Sequence, residues 1–126
     1  MRAVRRANTK PEMAVRRALH GAGYRFRLHR KGMAGTPDLV LPRYGVAIFV
    51  HGCFWHRHDG CSKATMPKTR VEFWQIKFRQ NQARDRRNEA HLLKEGWRVL
   101  TVWECETRTP EELIARLCTF ISHQPT

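Results

Sequence analysis

The stretch Pro37-Asp38-Leu39-Val40-Leu41-Pro42-Arg43-Tyr44-Gly45-Val46-Ala47-Ile48-Phe49-Val50-His51 decides the fold, and Gly52-Cys53-Phe54-Trp55-His56-Arg57-His58-Asp59-Gly60-Cys61 continues it. Two apolar runs flank a Pro/Gly turn, which predicts an antiparallel hairpin. Pairing Leu41 with Val46 across that turn sets Asp38 opposite Phe49. Side chains alternate faces along a strand, so Asp38 and His51 are expected to point one way and Val50 the other. A carboxylate, an imidazole and a backbone carbonyl then gather at a strand end. Beside them runs a loop holding two cysteines and two further histidines. The combination predicts a metal-dependent active site joined to a structural metal site.

Working outward, the chain carries 24 Lys and Arg against 11 Asp and Glu, a formal net charge of +13. An excess of that size marks a polyanionic partner, with nucleic acid the default. No apolar run approaches transmembrane length. The beginning, with Arg2, Arg5 and Arg6 and no apolar core, does not read as a signal peptide. A soluble, cytoplasmic protein is expected, and in that compartment four cysteines are ligands or core residues rather than disulfides. The length suits one domain, 1–126, whose first residues, 1–8, form a basic arm.

Thr9-Lys10-Pro11-Glu12 has capping-box spacing and opens a helix that Gly21 and Gly23 end, which gives Glu12 a capping role. Tyr24 to His29 alternates apolar and basic residues, the pattern of a half-buried strand with a cationic outer face. Thr69-Arg70-Val71-Glu72 repeats the capping-box spacing and starts a long helix that Gly96 stops. Lys77, Asn81, Arg84 and Asn88 share one face of it, a stripe suited either to solvent or to phosphates and base edges. Trp97 to Glu104 is a further strand, and Thr109-Pro110-Glu111-Glu112 caps a last helix with Cys118 bordering its apolar stripe. The order helix, strand, hairpin, long helix, strand, helix predicts an α/β sandwich around a mixed sheet.

The loop after the hairpin offers Cys53, His56, His58 and Cys61, and Cys105 adds a fifth donor from a strand end. Structural zinc takes four such ligands in a tetrahedron, so one donor is spare. A histidine is the expected spare, and spacing alone leaves open which. Asp38 with the main-chain carbonyl of Val50 offers oxygen ligands suited to Mg²⁺. His51 and His56 can orient or deprotonate a water near neutral pH. Metal, imidazole and a basic surface together point to phosphodiester hydrolysis.

Phe49-Val50-His51-Gly52-Cys53-Phe54-Trp55-His56, Gly35-Thr36-Pro37-Asp38, Arg70-Val71-Glu72-Phe73-Trp74, Arg84-Asp85-Arg86-Arg87 and Gly96 through Cys105 together resemble the very-short-patch repair endonuclease family. The resemblance covers nearly the whole chain. It implies a restriction-endonuclease-like fold, a three-layer sandwich on a mixed sheet with a structural zinc site. It also implies an activity, nicking DNA 5′ to the thymine of a T:G mismatch left by deamination of 5-methylcytosine. Carried across by position, it implies that Asp38 is the principal Mg²⁺ ligand with the Val50 carbonyl. Glu12 and His51 would hold water at that ion, with His56 as general base. Zinc would fall to Cys53, His58, Cys61 and Cys105. Phe54 and Trp55 would wedge into the base stack with Met1 from the arm, Trp74 would support them, and Lys77 and Asn81 would read the wobble pair.

The resemblance further implies a monomer acting on double-stranded DNA near the nucleoid in a bacterial-type cytoplasm, alongside mismatch-repair and excision-repair proteins. Position 50 is valine where the best-known family member carries a hydroxyl residue, a change that a backbone carbonyl survives. Two other readings share the same residues: a Mg²⁺-dependent nickase without mismatch preference, and a non-catalytic zinc-stabilised DNA-binding module. A binding module has no use for Glu12, Asp38, His51 and His56 together, which favours an enzyme.

Overall fold

The computed structural model describes residues 9–123. The elements run α1 (Lys10–Gly21), β1 (Arg27–Leu28), β2 (Leu39–Leu41), β3 (Val46–His51), α2 (Val71–Lys94), β4 (Arg98–Trp103) and α3 (Pro110–Ser122). The strands form one sheet in the order β1-β2-β3-β4. β1, β2 and β3 are antiparallel neighbours, and β4 joins β3 in parallel, which makes the sheet mixed. The hairpin has the expected register, with Leu41 opposite Val46. A single 3-10 turn, Pro42–Tyr44, closes it, with Gly45 left-handed at φ 67° where a side chain would be strained. No described helix is long and apolar enough to cross a membrane.

Strand alternation divides the core. Val46, Ile48 and Val50 face one side of β3, where they pack with Val15 and Leu19 of α1 and Leu113, Leu117 and Ile121 of α3. Ala47 and Phe49 face the other side, against Leu92 of α2. The central strands are therefore apolar on both faces, as a sheet covered on both sides requires.

Three local expectations are corrected. The strand expected over Tyr24 to His29 pairs only at Arg27 and Leu28. Tyr24 and Phe26 still pack on the core, but His29 turns left-handed at φ 43° and ends the ladder. The capping box at Thr69 does not form, because the helix begins one residue later with Arg70 at φ 53° as an N-cap making no side-chain hydrogen bond. At Thr9 only half the box exists: the hydroxyl accepts from the Glu12 N–H at 3.3 Å, while the Glu12 carboxylate bonds Arg16 and His29.

Arg98 locks the far end of the fold. Its guanidinium donates to the carbonyls of Phe120 (2.7 Å), His123 (2.6 Å), Ile121 (2.9 Å) and Tyr44 (3.2 Å). Three of those acceptors lie at the C-terminal end of α3, where carbonyls lack helical partners and a cation is favoured. Arg98→Ala is expected to lower stability by about 3 kcal/mol, since several charge-assisted bonds vanish together. Arg98→Lys should recover only part of that, because an ammonium cannot fork between two sets of acceptors. Urea midpoints at constant slope check both values, and an unchanged midpoint for Arg98→Ala would refute the lock.

Candidate active site and metal cluster

Asp38 stands just before β2, and the antiparallel register continues far enough to set its carboxylate against β3. Its Oδ2 accepts the Val50 N–H at 2.7 Å. In a strand a residue's N–H and C=O leave on the same edge, so the Val50 carbonyl faces the same side. Asp38 was expected to share a group with His51. It does not, because its carboxylate turns into the plane of the sheet to meet Val50, whereas His51 projects from the α2 face. Two groups of potential ligands result: Glu12, His29 and Asp38, and separately His51, His56 and Asp85. Within each group the donor atoms all lie within 4.8 Å of one another.

Glu12, on the first turn of α1, is 1% exposed. Its Oε2 takes a hydrogen bond from Arg16 at 2.6 Å, one helical turn on, and its Oε1 meets His29 Nε2 at 2.9 Å. A buried carboxylate needs such partners. The same His29 nitrogen lies 3.9 Å from Asp38 Oδ1. Burial pushes the Asp38 carboxyl up to about 6; the Val50 hydrogen bond opposes this, the nearby Glu12 charge adds to it, and His29 and His56 oppose it.

On the α2 face the His51 and His56 rings stack at 3.8 Å between centroids. Burial, with the neighbouring His56, lowers the His51 pKa to about 4, so this imidazole is neutral at physiological pH. His56 Nδ1 meets Asp85 Oδ2 at 2.6 Å. Burial pushes the Asp85 carboxyl up, but the His56 hydrogen bond and the charges of His56, His51 and Arg84 outweigh it and hold the carboxyl below its usual value. An ionised Asp85 accepts a hydrogen bond from Nδ1–H, which leaves Nε2 of His56 as the nitrogen with the free lone pair.

Cys53, His58, Cys61 and Cys105 converge, and His56 is not among them. His58 Nδ1 lies 3.6 Å from Cys53 Sγ and 3.4 Å from Cys105 Sγ. A tetrahedral zinc with bonds of about 2.0 to nitrogen and 2.3 Å to sulfur separates such atoms by about 3.5 Å. Burial pushes the Cys53 thiol up to about 12, while backbone N–H groups at Lys63 and Ala64 help draw Cys61 down. His58 stacks on Trp103 at 4.3 Å, and the Trp103 edge meets His51 at 5.4 Å. Ring contacts thus run from the cluster to the His51–His56 pair.

Phe54 and Trp55 lie in a loop whose sequence neighbours are ligands and charges. They are half-buried, because the loop folds them onto α2. Phe54 meets Trp55, Trp74 and Phe78 edge-on at 5.2, 6.0 and 5.2 Å, and Trp55 lies 5.8 Å from Trp74. Asn81 donates from Nδ2 to the Trp55 carbonyl at 3.2 Å, and its Oδ1 accepts from Arg84. Asn88 packs so close to Gly35 that a Cβ there would lie 2.9 Å from its Nδ2, so this member of the polar stripe is occupied in holding the loop before Asp38. Lys77 is exposed. Met1 lies outside the described residues.

His29 and Asp85 went unassigned on sequence grounds. Asp85 sits inside a motif used for the family resemblance, and its helical position relative to Asn81 and Asn88 was the available signal. His29 offered none beyond its place at the end of an alternating run.

Residues 1–63 match the sequence profile of the family described as DNA mismatch endonuclease Vsr. The chain is 55% identical over 117 residues to the type II nicking enzyme V.XorIIP of Xanthomonas oryzae, covering 93% of this chain and 85% of that one. It is 44% identical over 113 residues to the DNA mismatch endonuclease Vsr of Escherichia coli, covering 90% and 72%. The type II nicking enzyme V.NmeAIP of Neisseria meningitidis is 45% identical over 100 residues, covering 79% and 71%. With a carboxylate, paired histidines and a cysteine-rich cluster on a mixed sheet, the chain belongs to the DNA mismatch endonuclease Vsr family and is a DNA endonuclease.

Proposed function

We propose that this endonuclease nicks double-stranded DNA 5′ to the thymine of a T:G mismatch, with Mg²⁺ at Asp38 and the Val50 carbonyl and with zinc at Cys53, His58, Cys61 and Cys105. The single observation that supports it best is the hydrogen bond that sets the Asp38 carboxylate against Val50, one residue before the His51 ring that stacks on His56, with Phe54 and Trp55 in the loop between those two histidines. The oxygens available there, Asp38 Oδ1, Glu12 Oε1 and a backbone carbonyl, suit a hard cation, with the His29 nitrogen beside them. The sheet with helices on both faces supports a three-layer, restriction-endonuclease-like reading of a single domain over 1–126.

Mg²⁺, when bound, supplies positive charge to the phosphate oxygens as negative charge builds there. Glu12 and His51 position a water. His56 takes its proton at Nε2 as the water oxygen bonds to phosphorus and the phosphorus–oxygen bond to the departing sugar breaks, the sugar oxygen leaving with the electron pair and taking a proton from solvent. Asp85, bound at Nδ1, holds the ring in orientation. Phe54 and Trp55, with Met1 and backed by Trp74, enter the base stack where a mismatch has already weakened it. Lys77 and Asn81 face the wobble pair, and Asn81 also anchors Trp55 through its carbonyl.

Nicking of matched and T:G duplexes, with and without Mg²⁺, tests this directly. Cleavage is expected only at the mismatch and only with the cation. Trp55→Ala should compress the ratio of T:G to matched binding by about tenfold, the equivalent of one lost stacking contact. Phe54→Ala should do so while also lowering stability, because its ring touches Phe78 in the interior. Equal cleavage of both duplexes by the wild type would favour the nickase without mismatch preference.

A further inference from the structure

Each carboxylate beside β2 has one oxygen committed to a protein donor and one turned toward the same imidazole nitrogen. Glu12 gives Oε2 to Arg16 at 2.6 Å, and Asp38 gives Oδ2 to the Val50 N–H at 2.7 Å. The remaining oxygens, Glu12 Oε1 and Asp38 Oδ1, lie 2.9 and 3.9 Å from His29 Nε2. We propose that His29 is a nitrogen ligand of the catalytic cation, and that the site consequently prefers a divalent transition ion of the Mn²⁺ class to Mg²⁺. The inference rests on the reading of Asp38 as the cation's principal ligand and adds to it a nitrogen ligand and the order in which the site, while still able to work with Mg²⁺, binds divalent ions.

The spacing suits one octahedral centre. Bonds of about 2.1 Å place adjacent donors about 3 Å apart and opposite donors about 4.2 Å apart. The observed 2.9 and 3.9 Å, within a group spanning at most 4.8 Å, fall in that range. The bonds from Arg16 and Val50 are those of an outer shell that fixes which oxygen of each carboxylate faces inward.

His29 is also held at some conformational cost. It is left-handed at φ 43°, a region uncommon for residues with a side chain, and its N–H is tied to the Asp38 carbonyl at 3.0 Å. A simple ion-pair partner for Glu12 would be redundant, because Arg16 already supplies that charge. It would also leave unexplained why the free oxygen of Asp38 turns to the same nitrogen. The chemistry then follows from the donors. Mg²⁺ takes oxygen ligands and gives up its waters reluctantly, whereas imidazole nitrogen favours first-row transition ions.

The test uses the zinc-loaded, full-length chain and Mn²⁺ itself. Electron paramagnetic resonance titration should show one bound Mn²⁺, displaced by Mg²⁺ only at about tenfold or greater excess. Electron spin-echo modulation should show coupling to a directly bound histidine nitrogen, altered on ¹⁵N-histidine labelling. His29→Gln should remove that coupling and weaken Mn²⁺ by about tenfold or more, with zinc content and circular dichroism confirming the fold. Bound Mn²⁺ without nitrogen coupling in the wild type, or coupling that survives in His29→Gln, overturns the proposal even if the variant misfolds. Asp38→Asn separates the underlying reading: Mn²⁺ bound as tightly in that variant would show that the cation site lies elsewhere.

Discussion

Asp38→Asn is expected to abolish nicking and, in zinc-loaded protein free of other cations, to make the fold more stable at pH 7.5. Burial raises the Asp38 pKa from 3.8 to about 6, so the folded state binds this proton more tightly than the unfolded one. The resulting stabilisation is complete below about pH 4 and is lost as pH rises through about 6. Above that, the ionised carboxylate costs about 2–3 kcal/mol. Asparagine has the same shape and can still accept the Val50 N–H, but it never ionises. Its melting temperature should therefore exceed the wild type's at pH 7.5 and match it near pH 4. Catalysis should fall about a thousandfold or more, since on the proposed function the principal charge holding the cation is gone. Equal stability at both pH values would show that Asp38 carries no burial cost, and retained nicking would remove it from the site.

Loss of zinc is expected to have the largest effect on stability. Cys53 is fully buried, and its thiol is pushed up to about 12 by that burial, so it keeps its proton until metal enters and displaces it. Zinc content should fall as pH is lowered, because protons compete for the thiolates. Cys105→Ser should cost about 3 kcal/mol or more, equivalent to about 10 °C or more in melting temperature. Nicking should fall with it, because His58 stacks on Trp103 and Trp103 abuts His51. Cys118→Ser, distant from the cluster in α3, should retain full zinc by elemental analysis. A folded protein containing no zinc, or a Cys105→Ser variant with unchanged stability, would contradict this account.

The hairpin was legible because its register follows from turn chemistry and the alternation of Leu39 to Leu41 and Val46 to Val50, both local properties. The mixed sheet followed from element order. Spacing alone narrowed the cluster of Cys53, His58, Cys61 and Cys105 only to five candidates, because tetrahedral closure depends on where β4 ends; the family resemblance was needed to name these four. His29 escaped notice because its role depends on a left-handed backbone after a two-residue strand, which no periodicity announces. Asp85 was hidden in a polar stretch of α2, where only the path of the loop after β3 brings His56 to it. Glu12 was read by its spacing to Thr9; its actual partners lie one turn along the helix and across the sheet end. The partial burial of Phe54 and Trp55 was not legible, because their sequence neighbours are polar and their contacts come from Trp74 and Phe78 on another element.

The parallel pairing of β3 with β4 has a consequence for synthesis on the ribosome. His51 has its strand partner at Trp103, and His58 reaches Cys105, 47 positions further along the chain. At about 5–20 residues per second, the histidine loop waits several seconds for those partners to be translated. Until then the growing polypeptide already carries Asp38, His51 and His56 but lacks the strand and the thiol that fix their loop. An interrupted or prematurely terminated product would therefore bind DNA through its positive charge without being able to cut it.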